Sequence, residues 1–381
     1  MADIRVPFVD MHARLAPLRA DLLAACARVI DSGIAVMGPE GRALEEEFAA
    51  FCGVEHGIAV ANGTAALQLA LLALNIGPGD EVITVSNTFI ATVEAISAVG
   101  ATPVLVDVEP DTYLMDPAAF EAAITPRTRA VIPVHLYGLM CDMHALTAIA
   151  RRHRLAVIED ACQAHGATLG DAVAGSMSDA ACFSFYPAKN LGTVGEGGMV
   201  VTGDAALAKR MRSLRSHGES ERYHHSEPGW NLRLGEIQAA TTRVQLGHLA
   251  AWNEARRRVA GWYGELHGGL DMQLPVAPAG REHVYHLYVV QVDDRDRIRE
   301  ALAADGIGTG VHYPVPVYEQ PAYRSLGLSA AGLPVTSAAA GRLLSLPMYP
   351  EMTREQANLV AESLRRAIEA RRPLVSAPSI A

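Results

Sequence analysis

Apolar residues fall along this chain in two rhythms. Seven short runs are almost unbroken: GIAVAN (57–62), EVITVS (81–86), TPVLVDV (102–108), RAVIPVHLYG (129–138), LAVIEDAC (155–162), AACFSFY (180–186) and GMVVTG (198–203). A half-exposed strand alternates apolar and polar residues, so continuous runs of this length predict strands covered on both faces. Between several of them lie segments with helical spacing. TAALQLALLAL (64–74) follows Asn62-Gly63 and stops before the breaker GPGD. DPAAFEAAI (116–124) opens with an aspartate cap and a proline in the first turn, and CDMHALTAIARRH (141–153) repeats apolar positions at helical intervals. This alternation predicts an α/β fold built on a large, mostly parallel seven-stranded sheet flanked by helices.

The pattern changes after about residue 245. LAAWNEARRRVAGWYGELHGGL predicts a long connecting helix with an arginine-rich solvated face. A strand (HVYHLYVVQVD, 283–293), a helix (RDRIREALAADGI, 295–307) and a last helix (ESLRRAIEARR, 362–372) follow. The expected organisation is a large domain over 1–247, a smaller α+β domain over 248–372, and a frayed tail over 373–381. The first residues are expected to pack on the smaller domain.

Composition narrows the function. Half of the 381 residues are hydrophobic, enough for a sizeable core. The formal charge of −10 and the absence of a long basic run argue against nucleic-acid binding. Cys26, Cys52, Cys141, Cys162 and Cys182 match no zinc or CxxC spacing, so no metal site is expected and reduced thiols are. MADIRVPFVDMHARL lacks the apolar centre of a signal peptide, and Ile58–Leu74 is interrupted by Asn62, Thr64 and Gln68. A soluble, cytoplasmic protein without membrane association is the expectation.

One cation stands out. Of 32 lysines and arginines only two are lysine, Lys189 and Lys209. Lys189 ends an apolar run before a glycine-rich turn, FSFYPAKNLGTVGEGG. Arginine keeps its charge, whereas lysine can lose a proton and form a Schiff base. Two other strand ends bear on that amine. In VANGTAAL, the amides of Gly63, Thr64 and Ala65 make either an ordinary strand–turn–helix joint or an anion site. In VIEDACQAHGA, Glu159 and Asp160 are either caps and ion-pair partners or the mate of a protonated heterocycle. Pyridoxal phosphate wants an amine for its aldehyde, a helix N-terminus for its phosphate and an acid for its ring nitrogen. Lys189, the Gly63–Ala65 amides with Ser184, and Asp160 answer those needs together. No GxGxxG fingerprint favours a dinucleotide instead.

EDACQAHGA and FSFYPAKNLGTVGEGGMVVT resemble the sugar-aminotransferase family named for DegT, DnrJ, EryC1 and StrS, within the fold-type-I, aspartate-aminotransferase-like enzymes. The likeness runs from GPEGRALEEEFAAFCGVEHGIAVANGTAAL to LLSLPMYPEMT, nearly the whole chain. It implies that Lys189 carries pyridoxal 5'-phosphate as a covalent aldimine and then moves the proton. It implies Asp160 at the pyridinium nitrogen, Gln163 at the phenolic oxygen, Phe89 stacked on the ring, and Ser184 with Gly63–Ala65 at the phosphate. Asn231, in GWNLRLGEIQAA, matches a residue that reaches the neighbouring subunit's phosphate, which implies a homodimer with shared active sites. The implied reaction is ping-pong transfer of nitrogen from L-glutamate, or another amino donor, to a keto-sugar nucleotide.

Finer likeness points to C3 of a 3-keto, dTDP- or UDP-linked deoxy sugar or uronic acid. Members acting at C4 of a 4-keto sugar more often carry Thr at the place of Gly192. His224, His225, Arg233, His312 and Tyr313 are implied substrate contacts, and Tyr318 stands where relatives usually have His. Three rivals remain: a PLP-dependent dehydratase, which would have His for Lys189; a non-catalytic PLP-binding regulator; and an NAD-dependent sugar enzyme.

Overall fold

A computed structural model describes residues 4–370. In chain order the strands of the main sheet are β1 (His56–Val60), β2 (Glu81–Val85), β3 (Thr102–Val106), β4 (Thr128–Ile132) and β5 (Ala156–Asp160). A small ribbon, β6 (Thr168–Leu169) and β7 (Ala172–Val173), precedes the last two, β8 (Ala180–Ser184) and β9 (Gly198–Thr202). The order across the sheet is β1-β9-β8-β5-β4-β2-β3. All pairings are parallel except those of β9, which runs against β1 and β8. The seven apolar runs therefore are the seven strands.

Side chains alternate across a strand, and the runs are continuous because each face has its own core. Val82, Ile132, Cys182 and Val200 pack under α4 (Gly63–Ala73), α5 (Ala91–Ala98) and α8 (Ala205–Arg215). Their neighbours Ile83, Val131, Phe183 and Val201 pack with α3 (Pro39–Cys52), α6 (Pro117–Ala122) and α7 (Met143–His153). Full burial of such a side chain is worth about 1.5–3 kcal/mol. Asn62, Asp116 and Asp142 cap α4, α6 and α7 with their own side chains. The start of α3 is set from far away. Glu236, at the head of α9 (Glu236–Leu246), accepts the amides of Gly38, Glu40 and Gly41 at 2.8–3.0 Å. A Cβ on Gly38 or Gly41 would lie 2.6–2.7 Å from that carboxylate.

α10 (Leu249–Leu266) leads to a third core around β13 (Tyr288–Gln291), α11 (Arg295–Ala304), β14 (Leu343–Leu346) and α13 (Arg354–Glu369). β13 and β14 pair antiparallel, and α12 (Pro334–Ala340) precedes β14. β12 (Arg281–Glu282) joins the β6–β7 ribbon, and β10 (Glu219–Glu221) and β11 (His224–His225) form an outlying hairpin. At the N-terminus Val6 bridges to Ile307, ahead of α1 (Met11–Leu15) and α2 (Arg19–Ser32).

Three expectations need correction. The strand over 283–293 forms only at Tyr288–Gln291, because residues 283–287 use their backbone elsewhere: Val284 donates to Gly138 O, and the Tyr285 amide to His283 Nδ1. The arginine face of α10 is not all solvated, since Arg256 is fully buried and donates to Tyr285, His286 and Met348 carbonyls. The last helix begins at Arg354 behind a Thr353–Gln356 capping box. The expected tail, 373–381, lies outside the described residues. Among the described residues no helix is long and apolar enough to cross a membrane.

Candidate active site

The carboxyl ends of β1, β2, β5 and β8 meet at one place, which gathers residues far apart in sequence. β5 ends in two carboxylates that point to opposite faces. Glu159 turns inward and is fully buried. It accepts from His135 Nε2 (2.8 Å), the Gly175 and Met177 amides (2.8 and 3.2 Å) and Ser178 Oγ (2.7 Å). The Cys141 amide points at His135 Nδ1 at 3.2 Å, so the ring carries its proton on Nε2 and donates it to Glu159. Burial pushes the Glu159 carboxyl up, but these donors outweigh it and hold the group below the usual carboxylate range.

Glu159→Ala therefore strands several buried donors, with an expected loss of about 3–5 kcal/mol of stability at neutral pH. Because the folded-state pKa lies below the unfolded value, this contribution is present above about pH 4.3 and disappears as pH falls through the folded pKa. Urea denaturation of parent and variant across pH should show the gap closing in acid.

Asp160 faces the site. Its Oδ2 accepts from Thr92 Oγ1 at 2.7 Å and its Oδ1 from the Cys162 amide at 3.2 Å. It is buried, and among the described residues it has no ion pair within 4.0 Å. A buried carboxylate with only neutral donors leaves room and demand for a cation. Lys189 follows β8, its amide bonded to Tyr186 O at 2.9 Å. Its side chain is partly exposed, yet burial lowers its ammonium below the usual lysine range, against the opposing pull of Cys162 and Asp160. Gln163 is fixed by the Tyr137 amide on Oε1 (2.8 Å), which turns Nε2 towards Tyr313 Oη at 3.3 Å.

At the start of α4 the structure amends the expected anion site. Asn62 Oδ1 takes the Ala65 amide at 2.8 Å, so Ala65 is committed to the cap and the open amides are those of Gly63 and Thr64. Gly63 meets Ser184 and Cys162 so closely that a Cβ there would lie 2.8 Å from Ser184 Cβ and 2.9 Å from Cys162 Sγ. Phe89 leaves 53% of its surface exposed and stands 5.7 Å from the Tyr313 ring. His312 bonds Ser345 Oγ at 2.8 Å and stacks on Phe8, and burial followed by the Lys189 charge lowers it to about 4.

The other expected contacts stand apart within one chain. His224 and His225 lie on the exposed β10–β11 hairpin. Asn231 Oδ1 accepts from Arg233 Nε at 2.8 Å, and Arg233 forms an isolated bridge to Val60, the last residue of β1. Tyr318 is buried against Val93, Leu105 and Leu333, and its hydroxyl bonds Glu319 and Ser337. Thr92 and Tyr137 were not anticipated; Thr92 lies 68 residues from the carboxylate it holds, and no local signal links them.

The donor set fits pyridoxal phosphate. It offers an amine, a buried carboxylate with no ion pair within 4.0 Å among the described residues, a helix N-terminus beside Ser184, and a glycine where a side chain would collide. The family model for the DegT/DnrJ/EryC1/StrS aminotransferase family matches residues 17–365. The chain is 50% identical over 363 residues to the UDP-N-acetyl-3-dehydro-alpha-D-glucosamine 3-aminotransferase of Acidithiobacillus ferrooxidans, covering 95% of this chain and 98% of that one. It is 48% identical over 366 residues to the dTDP-3-amino-3,4,6-trideoxy-alpha-D-glucose transaminase of Streptomyces venezuelae, covering 96% and 97%. The crystal structure of S. venezuelae DesV in complex with a ketimine intermediate superposes with a TM-score of 0.94 at 48% identity, covering 97% and 100%. Solved neighbours hold the cofactor in its PLP and PMP forms. The chain belongs to the DegT/DnrJ/EryC1/StrS aminotransferase family and is a pyridoxal-phosphate-dependent aminotransferase.

Proposed function

We propose that this enzyme moves an amino group from L-glutamate to C3 of a 3-keto sugar carried on a uridine or thymidine diphosphate. The observation that carries the reading is the convergence of Lys189, Asp160 and the α4 N-terminus at the carboxyl ends of the strands. The C3 position is supported by the names of two relatives close to half identical over nearly the full chain. The reading takes 1–247 as the cofactor-bearing domain and 248–372 as the smaller one. It places the enzyme in the cytoplasm, in keeping with five free thiols.

Bound pyridoxal phosphate supplies an electron sink for the carbon losing its proton. Lys189 Nζ would hold the aldehyde and, once released, take that proton and return it to the carbon on the far side of the transferred nitrogen; its lowered pKa favours the neutral base. Asp160 keeps a positive ring nitrogen paired, and Thr92 keeps Asp160 aimed. Gln163 Nε2 is turned to donate to the phenolic oxygen. Gly63, Thr64 and Ser184 would hold the phosphate, and Phe89 would cover one face of the ring. His312 and Tyr313 border the approach of the sugar. Glutamate should convert the visible absorbance of the loaded protein to that of the amine form. Of a panel of UDP- and dTDP-linked 3-keto and 4-keto sugars, the 3-keto members should give 3-amino products by NMR. Amination at C4 alone would overturn the C3 reading.

The second subunit completes the site in this reading. Ile30, Ile34, Val36, Met37 and Ile237 are all exposed, on α2, the segment after it, and α9. Val36 bridges to Gly235, so these residues lie together beside the segment that carries Asn231 and Arg233. A second copy covering this face would bring Asn231, Arg233, His224 and His225 to the neighbouring site. Light scattering of the purified protein should give twice the 40.5 kDa chain mass, and Ile30→Glu should shift it to one chain with loss of turnover.

A further inference from the structure

We propose that Arg14 is a positioning residue for Lys189, holding the backbone of the lysine loop from a helix 175 residues earlier in the chain. The loop after β8 folds tightly on itself: a Cβ on Gly192 would lie 2.5 Å from Pro187 O. This turns the carbonyls of Pro187, Lys189 and Asn190 towards one guanidinium. Arg14 Nη1 donates to Lys189 O at 2.7 Å and, more weakly, to Pro187 O at 3.5 Å, while Nη2 donates to Asn190 O at 2.7 Å. A planar fork is suited to two carbonyls on adjacent residues; an ammonium is not.

The arrangement is a costly one. Arg14 is 3% exposed, and no carboxylate lies within 4.0 Å of it among the described residues. Burial lowers it to about 10, opposed by the more distant charge of Glu351. A buried cation normally sits on an anion. This one is spent on neutral carbonyls of the residue that bears the reactive amine and of the next. Its flat face lies 4.3 Å over the Trp252 ring, which leaves the fork little freedom.

The loop is pinned through the Asn190 side chain as well. Asn190 Nδ2 donates to Val284 O (2.8 Å) and to Asn253 Oδ1 (2.9 Å). The support of Arg14 is itself anchored. Asp10 caps α1, Gly308 donates to Val6 O at 2.8 Å, and Phe8 stacks on His312. One N-terminal strap thus touches the 306–310 segment, a residue bordering the site, and the lysine loop. Lys189 Nζ must reach both the cofactor aldehyde and the substrate carbon, so small displacements of its Cα carry a large kinetic cost.

This inference rests on the reading of Lys189 as the cofactor-bearing amine, and its test separates the two. Arg14→Ala, Arg14→Lys and Lys189→Ala are compared with the parent. The readouts are melting temperature, the rate at which the apo-protein captures pyridoxal phosphate as a borohydride-stable adduct, and kcat and KM for both substrates. Arg14→Ala is expected to lower kcat and the capture rate about 10- to 100-fold, leaving both KM values within roughly twofold. Arg14→Lys keeps the charge and the stem but not the fork, and should fall between Arg14→Ala and the parent; it carries the test if the alanine variant does not fold. Parent-like kcat and capture rate in either folded variant would overturn the positioning role while leaving Lys189 intact. An adduct that persists in Lys189→Ala would overturn the reading of Lys189, and this inference with it.

Discussion

Lys189→Arg should fold, melt within a few degrees of the parent, and turn over about 10⁴-fold more slowly or not at all. The substitution keeps a cation and a long stem next to Asp160, so the charge balance of the site survives. What it removes is an amine that can be neutral. Burial lowers the Lys189 ammonium, and the resulting fraction of free amine is the base and nucleophile. A guanidinium stays charged even where burial lowers it, and it is a poor nucleophile. The check is a single-turnover experiment: purified Lys189→Arg reconstituted with pyridoxal phosphate and mixed with glutamate should show no conversion to the amine form. Turnover within tenfold of the parent would show that charge at position 189 suffices, and the proposed role would be lost. The scarcity of lysine in the chain, and the place of Lys189 between an apolar run and a glycine-rich turn, point at this position before any geometry does.

The sheet was readable because its strands are buried on both faces, so the apolar run and the strand nearly coincide; Gly198–Thr202 matches GMVVTG to within a residue. Elements specified from a distance were not. The start of α3 depends on Glu236, 198 residues beyond Gly38, and nothing local in MGPEGR encodes that contact. The strand expected from residue 283 fails over its first five residues because Gly138 and Asn190 claim that backbone. Ala65 is not an open amide, because the Asn62 cap claims the same hydrogen bond. In the site, Lys189 and Asp160 could be argued from chemistry alone, and Phe89, Gln163 and Asn231 came through resemblance. Thr92, Tyr137 and Arg14 act by contacts between residues far apart in sequence, which composition and spacing do not carry.

Asp160→Asn is expected to leave the fold intact and lower kcat about 10³-fold, with less change in either KM. The amide can keep its oxygen towards the Cys162 N–H and place its NH2 against Thr92, whose hydroxyl is free to rotate and accept. Shape and hydrogen bonds are therefore preserved and only the negative charge is lost. Asp160 has no ion pair within 4.0 Å among the described residues, so few other contacts are disturbed. The charge matters for the ring nitrogen: a neutral partner no longer favours its protonated form, and the electron sink weakens where the substrate carbon gives up its proton to Lys189. The neighbouring carboxylate provides the contrast. Glu159 is fully enclosed by His135, Ser178 and two amides, so altering it should cost stability first. Measured side by side, Asp160→Asn should show a parent-like denaturation midpoint with a collapsed kcat, and Glu159→Ala a lowered midpoint. A folded Asp160→Asn enzyme with kcat within tenfold of the parent would mean that the charge at the end of β5 is not what holds the ring protonated.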